Sequence, residues 1–129
     1  PKLARVRIST NLPVQYAALE SLNGPQDYIP KFVSELKTHR DFVIKRLNEM
    51  NGISCSNPKG AFYAFPKIEQ NKFNSDKEFV LELLKQKGVL TVHGSGFGEQ
   101  YGRGHFRIVY LPKMEILESA MNKIEEFVR

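Results

Sequence analysis

Apolar positions along the chain recur at two spacings, and the switches between them mark the elements. Tyr28, Phe32, Leu36, His39, Val43, Leu47 and Met50 step by four, four, three, four, four and three, one stripe of a long helix over residues 26–50. Pro30 falls in its first turns, where a missing N–H costs little, and Asn51-Gly52 closes it. Before it, residues 12–22 predict a shorter helix, with Pro13 in the first turn and Asn11 or Leu12 ahead of it. Its Val14, Tyr16, Ala17, Ala18, Leu19 and Leu22 run almost all the way round, the pattern of a helix buried on more than one side. Asn23-Gly24-Pro25 breaks that pattern.

Beyond the long helix the spacing shortens. Ile53–Ser56 predicts a short strand, Asn57-Pro58-Lys59-Gly60 a turn, and Ala61–Ile68, rich in Phe and Tyr, a second strand; together they read as a hairpin. After a polar loop over Glu69–Asn74, Ser75-Asp76-Lys77-Glu78 has the form of a capping box, in which the Ser hydroxyl accepts from the N3 amide and Glu78 reaches back. The helix that follows carries Phe79, Val80, Leu83 and Leu84 and stops at Gly88 in a left-handed position. Val89–His93 is a strand, Gly94–Gly104 a loop with five glycines, and His105–Leu111 a strand alternating Phe106, Ile108 and Tyr110 against Arg107 and Val109. Pro112 opens a last helix with Met114, Leu117, Met121, Ile124 and Phe127 on one stripe. The order is helix, helix, hairpin, helix, strand, strand, helix. That is an α+β domain, a two-layer sandwich in which a small mixed or antiparallel sheet is covered by helices.

Composition narrows the class. At 129 residues the chain has one domain's length, and 41% hydrophobic with 26% charged residues excludes wholesale disorder. No apolar run approaches ~18 residues, so no membrane span is expected, and Pro1-Lys2-Leu3-Ala4-Arg5 is not followed by the apolar stretch of a signal peptide. The chain begins without Met, as a fragment or a processed product does. A single cysteine, Cys55, excludes a disulfide framework and a cysteine-cluster metal site; it reads as a small core residue in a reducing cytoplasm. The net charge of +5 admits nucleic acid or a small anionic substrate. Most of the helical cations (Lys31, Lys37, Arg40, Lys45, Arg46) alternate with Glu35, Asp41 and Glu49, as on a solvated face. Lys2, Arg5 and Arg7 alternate as they would beside a short extended piece.

Few residues suggest chemistry by type and spacing alone. Gly94-Ser95-Gly96-Phe97-Gly98 follows a strand and could cradle an anion with its amides, but no Lys-Ser/Thr closes it and position 99 is Glu; a flexible turn is the plainer reading. Arg107, mid-strand, is either a solvent-face cation or a bidentate clamp for a carboxylate. His39 reads as a packed side chain, and His93 and His105 flank the glycine loop without a supporting carboxylate, so no metal site is expected. Ser34-Glu35-Leu36-Lys37 matches S-x-x-K but lacks the companion motifs. Lys59–Phe65 is faintly like the aromatic strand of an RNA-recognition module, with Ala61 where an aromatic is wanted and the wrong element order. A free-standing RNA- or protein-binding module is therefore the non-enzyme alternative.

Several of these segments, in order, resemble the C-terminal part of class I/II aminotransferases, the fold-type I pyridoxal-phosphate enzymes, of alanine/aspartate and archaeal type. Asn11-Leu12-Pro13-Val14-Gln15-Tyr16-Ala17-Ala18 is similar to the helix passing from the large to the small domain. Gly24-Pro25-Gln26-Asp27-Tyr28 with Arg40-Asp41 resembles the long small-domain helix. Pro58-Lys59-Gly60-Ala61-Phe62-Tyr63-Ala64-Phe65-Pro66 is similar to the P-x-G-A-F-Y strand. Gly94-Ser95-Gly96-Phe97-Gly98 and Gly104-His105-Phe106-Arg107-Ile108 resemble the G-S-x-F-G loop and the strand bearing the substrate arginine. His93 departs from the Pro of many members, a change in loop stiffness.

The resemblance implies residues 1–24 as an interdomain segment and helix, and residues 25–129 as the small domain. It implies transfer of an amino group between an α-amino acid and a 2-oxo acid through pyridoxal phosphate. Arg107 would hold the substrate α-carboxylate, and Phe62, Tyr63 and Phe97 would line the pocket, although sheet core is an equal reading for each of the three. The S-x-S-K stretch of the cofactor lysine, with its following G-x-R, is absent here. The catalytic and cofactor-binding residues are therefore expected in a large domain outside this chain, and none within it. The implied parent is a cytoplasmic homodimer acting on small molecules, not on nucleic acid or membranes. The chain alone would be inactive and, with its 12–22 helix uncovered, prone to self-association.

Overall fold

The computed structural model of the chain describes residues 9–69 and 73–129. The expected extended piece around Lys2, Arg5 and Arg7 lies outside the described residues, as does part of the polar loop before Ser75. The chain parts into two compact units, Pro1–Ser34 and Glu35–Arg129, the division falling inside the long helix. That helix runs unbroken through the boundary, and its burial begins only past it.

In the first unit, helix α1 spans Leu12–Asn23, with Pro13 in its first turn. Asn11 is its N-cap, its side-chain oxygen accepting from the Val14 amide at 3.2 Å. The all-round apolar pattern led to an expectation of burial on more than one side. Within this chain none of its residues is buried; Leu12, Val14, Tyr16, Leu19 and Leu22 are all exposed. Helix α2 spans Tyr28–Glu49. Its first turns present Tyr28, Ile29, Phe32 and Val33 to the outside, whereas His39, Val43, Ile44 and Leu47 are buried in the second unit. His39 is the packed side chain expected, its Nδ1 donating to the Tyr110 carbonyl at 3.1 Å.

The second unit carries β1 (Ile53–Ser54), β2 (Tyr63–Ala64), β3 (Lys67–Ile68), helix α3 (Asp76–Lys87), β4 (Val92–His93), a 3-10 turn (Gly94–Phe97), a short helical turn α4 (Glu99–Gly102), β5 (Phe106–Val109) and helix α5 (Met114–Val128). Pairing among the described strands is antiparallel throughout, with one sheet ordered β1-β3 and another β2-β5-β4, and a bridge between Lys67 and His105 ties the two. The expected single strand over 61–68 is interrupted. Ala61 adopts φ +58°, a left-handed value for a residue with a side chain, so extended backbone starts only after it. Pro66 has no N–H to donate, and β2 and β3 end on either side of it. The expected hairpin survives only as β1 against β3, Ile53 opposite Ile68, while β2 pairs with β5. The strand at 89–93 is reduced to Val92–His93, and the 94–104 loop contains α4.

Burial follows the alternation read from β5. Phe106, Ile108 and Tyr110 face the core and Val109 is exposed. They meet Leu47 from α2, Phe79 and Leu83 from α3, and Leu117, Met121 and Ile124 from α5 in one cluster. Phe79 sits 4.9 Å from Phe106 between ring centroids, the tilted packing aromatic pairs favour. The α3 cap is half as read. Ser75 Oγ accepts from the Glu78 amide at 3.1 Å, but the Glu78 carboxylate reaches past Ser75 to the Asn74 amide at 2.7 Å. Gly88 closes α3 at φ +68°, as expected.

Candidate functional site

Strand register places four side chains on the outward face of the three-stranded sheet. Tyr63 lies opposite Val109, and Val92 opposite Arg107. Residues two apart on β5 share a face, so Tyr63, Val109, Arg107 and Val92 share the side away from the core. Phe97 reaches the same side from the end of the 3-10 turn. The Arg107 guanidinium carbon lies 4.6 Å from the Tyr63 ring centroid and 4.3 Å from that of Phe97. Both rings are within cation–π range. Both rings thus lie against the guanidinium. Arg107 Nε is buried without a hydrogen-bond partner, and among the described residues no carboxylate lies within ion-pair distance of the group. A guanidinium beside two rings and without a described carboxylate partner suits a carboxylate bound by two parallel hydrogen bonds.

Phe62 is set apart. It packs half-buried against the core and meets the Tyr63 ring at 4.5 Å. Phe65, which no sequence argument singled out as a site residue, stacks on His105 at 5.2 Å and meets Phe97 edge-on at 6.1 Å. Tyr63 and Phe97 are thus brought onto Arg107, and Phe62 only onto Tyr63.

The 94–97 turn that carries Phe97 is anchored by its own amides. The Ser95 N–H donates to Asp76 Oδ2 at 2.7 Å, Gly96 to His93 Nδ1 at 3.2 Å, Gly98 to the Ser95 carbonyl at 3.1 Å, and Gly94 to the His105 carbonyl at 2.8 Å. Those donors are spent within the protein, and a buried carboxylate sits among them. The loop is therefore a structural turn and not an anion cradle. His93 also has an acidic neighbour, Asp76 Oδ2 at 3.9 Å from its Nδ1, which spacing could not reveal. His105 Nδ1 instead donates to the Arg103 carbonyl at 3.0 Å, and no cluster of ligating residues is present among the described residues.

Asp76 was legible only as a first-turn helix acid. Burial would raise its carboxyl, but hydrogen bonds from the Ser95 amide and hydroxyl and the nearby His93 outweigh burial and hold it below the usual carboxylate range. A group depressed in the folded state stabilises fully above its unfolded value and loses that contribution as pH falls through its folded value. Asp76→Asn is therefore expected to cost about 1.5–3 kcal/mol at neutral pH, the scale of a hydrogen bond to a charged group. The gap from the parent should close below about pH 4, near the ordinary carboxylate value. Denaturant unfolding across that range checks it; a constant gap would exclude the charge as its source.

Asn48 is a second residue that the sequence did not mark. Its carboxamide accepts from the Cys55 amide at 2.8 Å and donates to the Cys55 carbonyl at 3.0 Å, standing in for a neighbouring strand at the exit of β1. Cys55 itself packs against the core from a half-buried position, and burial pushes its thiol up, away from nucleophilic use.

The described residues do not compose a site for a phosphorylated aldehyde cofactor. Such a group needs a lysine amine in an enclosed pocket beside free phosphate-binding donors. Every described lysine is exposed except Lys87, which is half-buried and paired with Glu126 at 2.9 Å. The glycine turn has no free amide at the positions named above.

The sequence model of the family described as "Aminotransferase class I and II" matches residues 2–124. The chain is 41% identical over 131 residues to the glutamate-pyruvate aminotransferase AlaA of Haemophilus influenzae, an alignment covering 98% of this chain and 32% of that protein. It is 38% identical over 122 residues to the aspartate/prephenate aminotransferase of Cereibacter sphaeroides, covering 88% and 30%. The solved structure of an alanine aminotransferase from Pyrococcus furiosus superposes with a TM-score of 0.91 at 54% identity, covering 98% of this chain and 32% of that one. The matches fall on the C-terminal part of these proteins, and the chain spans less than a third of their length. The four-stranded platform of an RNA-recognition module has no counterpart in the two- and three-stranded sheets described here. A chain matched by this family along nearly all its length, and sharing its members' fold, belongs to the class I and II aminotransferases.

Proposed function

We propose that this chain is the small domain of an aminotransferase that moves an amino group between an α-amino acid and a 2-oxo acid. In this reading residues 25–129 form the domain and residues 1–24 link it to the rest of the enzyme. The domain orients the substrate α-carboxylate and closes over the site. The observation that carries the reading is Arg107, which lies over the rings of Tyr63 and Phe97 and has no described carboxylate partner. Arg107 binds the carboxylate; Tyr63 and Phe97 hold its plane and keep water off its faces; Phe62 backs Tyr63. Pyridoxal phosphate supplies the electron sink for the exchange. Since the residues described here do not fit it, its lysine and phosphate donors belong to a large domain outside this chain. The substrates named for the relatives (alanine, glutamate and pyruvate, aspartate) are the ones to assay first.

Reading the frame immediately upstream of Pro1 tests this directly. A serine-flanked lysine followed by G-x-R is expected there. A start codon beside Pro1 would make the chain free-standing and remove the catalytic reading.

The apolar surfaces support further parts of the enzyme packing on this chain. Leu12, Tyr16, Leu19 and Leu22 of α1 are all more than half exposed, and an open groove of about 560 Å³ runs between residues 88–92 and α5. In the parent, these surfaces are covered by the large domain and by a homodimer partner. Prepared alone, the chain is expected to self-associate as its concentration rises. A monomeric sedimentation profile at high concentration would contradict that. The free thiol of Cys55 suits a reducing, cytoplasmic compartment.

A further inference from the structure

His93 is the N-cap of the 3-10 turn, and its ring takes part in the cap. A backbone N–H only donates, so the Gly96 amide at 3.2 Å requires a bare lone pair on Nδ1, which puts the ring proton on Nε2. The Ser95 hydroxyl lies 3.0 Å from the same nitrogen, and its one proton is shared between that nitrogen and Asp76. The ring lies directly against the turn, for a Cβ built on Gly96 would meet His93 Cε1 at 3.0 Å. The turn ends on Phe97, which is 52% exposed and whose ring contacts are Arg107 and the edge of Phe65. Little core packing holds Phe97, so its place over the guanidinium is set by the turn's backbone.

We propose that His93 is a positioning residue for Arg107: its neutral ring caps the 94–97 turn and keeps Phe97 stacked on the guanidinium, and its protonation releases that cap. This rests on Arg107 as the carboxylate-binding residue. A proton on Nδ1 turns the acceptor into a donor facing the Gly96 N–H, and the two repel. The charged ring is drawn instead to Asp76 Oδ2, 3.9 Å away, which already holds the Ser95 amide. Both amide anchors of the turn are then disturbed. The ionisable group facing the ring from α3 is Asp76. From β5 the paired residue is the uncharged Phe106, and Arg107 beside it points to the opposite sheet face. Helix α4 approaches the turn through Gly102, and its acid, Glu99, is exposed. The effect on Arg107 thus runs through the turn and not by direct contact.

The test uses the full-length, cofactor-loaded enzyme that carries this chain, with butyrate as an unreactive carboxylate competing with the amino acid. As the pH is lowered and the ring gains its second proton, the butyrate inhibition constant should rise about three- to tenfold, the scale of one lost hydrogen bond. His93→Asn keeps an oxygen acceptor for Gly96 and does not titrate, so, whatever its own affinity for butyrate, it should lack the acid rise. An acid rise unchanged in His93→Asn overturns the proposal. Imidazole nitrogen NMR of the unliganded parent reads the same point without activity. The Nε2–H tautomer is expected for the neutral ring, and the Nδ1–H tautomer overturns it. Arg107→Lys is measured alongside. If that variant binds butyrate as the parent does, the carboxylate-binding reading itself has failed and takes this inference with it. If it binds weakly while His93→Asn keeps the acid rise, only the role of His93 has failed.

Discussion

Replacing Arg107 by Lys in the full-length enzyme lowers kcat/KM for an α-amino acid by about ten- to a hundredfold, mostly through KM. The size follows from losing one of two charge-assisted hydrogen bonds, about 1.5–3 kcal/mol. Lys keeps the charge but has no planar fork to present two parallel N–H donors. Stability should change little. Arg107 Nε has no partner to be orphaned, and no described carboxylate pairs with the group. Kinetic loss with an unshifted melting temperature therefore separates a binding role from a structural one. Unchanged kinetics would remove Arg107 from the site.

Gly102→Ala should damage both stability and carboxylate binding. A Cβ at Gly102 would stand 2.0 Å from the Gly94 carbonyl oxygen, and one at Gly94 would stand 2.2 Å from that of Gly102. Both obstacles are backbone, so no side chain can swing away to relieve them. Overpacking of this kind costs about 1–3 kcal/mol or more. In a domain of this size that is a fall of at least about 3 °C in melting temperature. Because the clash falls on the first residue of the turn that carries Phe97, KM for the amino acid should rise as well. Gly60→Ala is the control: a Cβ there meets nothing within 4 Å and should be silent in both measurements. A Gly102→Ala enzyme indistinguishable from Gly60→Ala would mean that the contact does not hold the turn.

Legibility in the sequence tracked how local each cause was. The α2 stripe, the Ser75 and Asn11 caps, Gly88 and the alternation of β5 all depend on neighbours within one turn or one pleat, and each is present. The strand at 61–68 failed because β propensity says nothing of the left-handed Ala61 or of where a partner strand meets Pro66. The helical turn inside the glycine loop stayed hidden because the close approach of Gly94 and Gly102 is a tertiary contact. Glu78 found Asn74 in place of Ser75, a choice the capping pattern does not fix. At the site, Arg107 was marked by its mid-strand position as a solvent-face cation or a carboxylate clamp, but neither spacing nor type revealed its contact with Tyr63 and Phe97; the family resemblance brought those two forward. Asp76 and Ser95 carry no joint signature, since their hydrogen bond spans 19 residues.

The most direct measurement is a structure of the full-length enzyme with an amino acid or 2-oxo acid bound. Two guanidinium nitrogens of Arg107 should lie about 2.7–3.2 Å from the two oxygens of the substrate α-carboxylate, with Tyr63 and Phe97 still on its faces. An α-carboxylate held by other residues, with Arg107 turned away or paired elsewhere, would contradict the assignment.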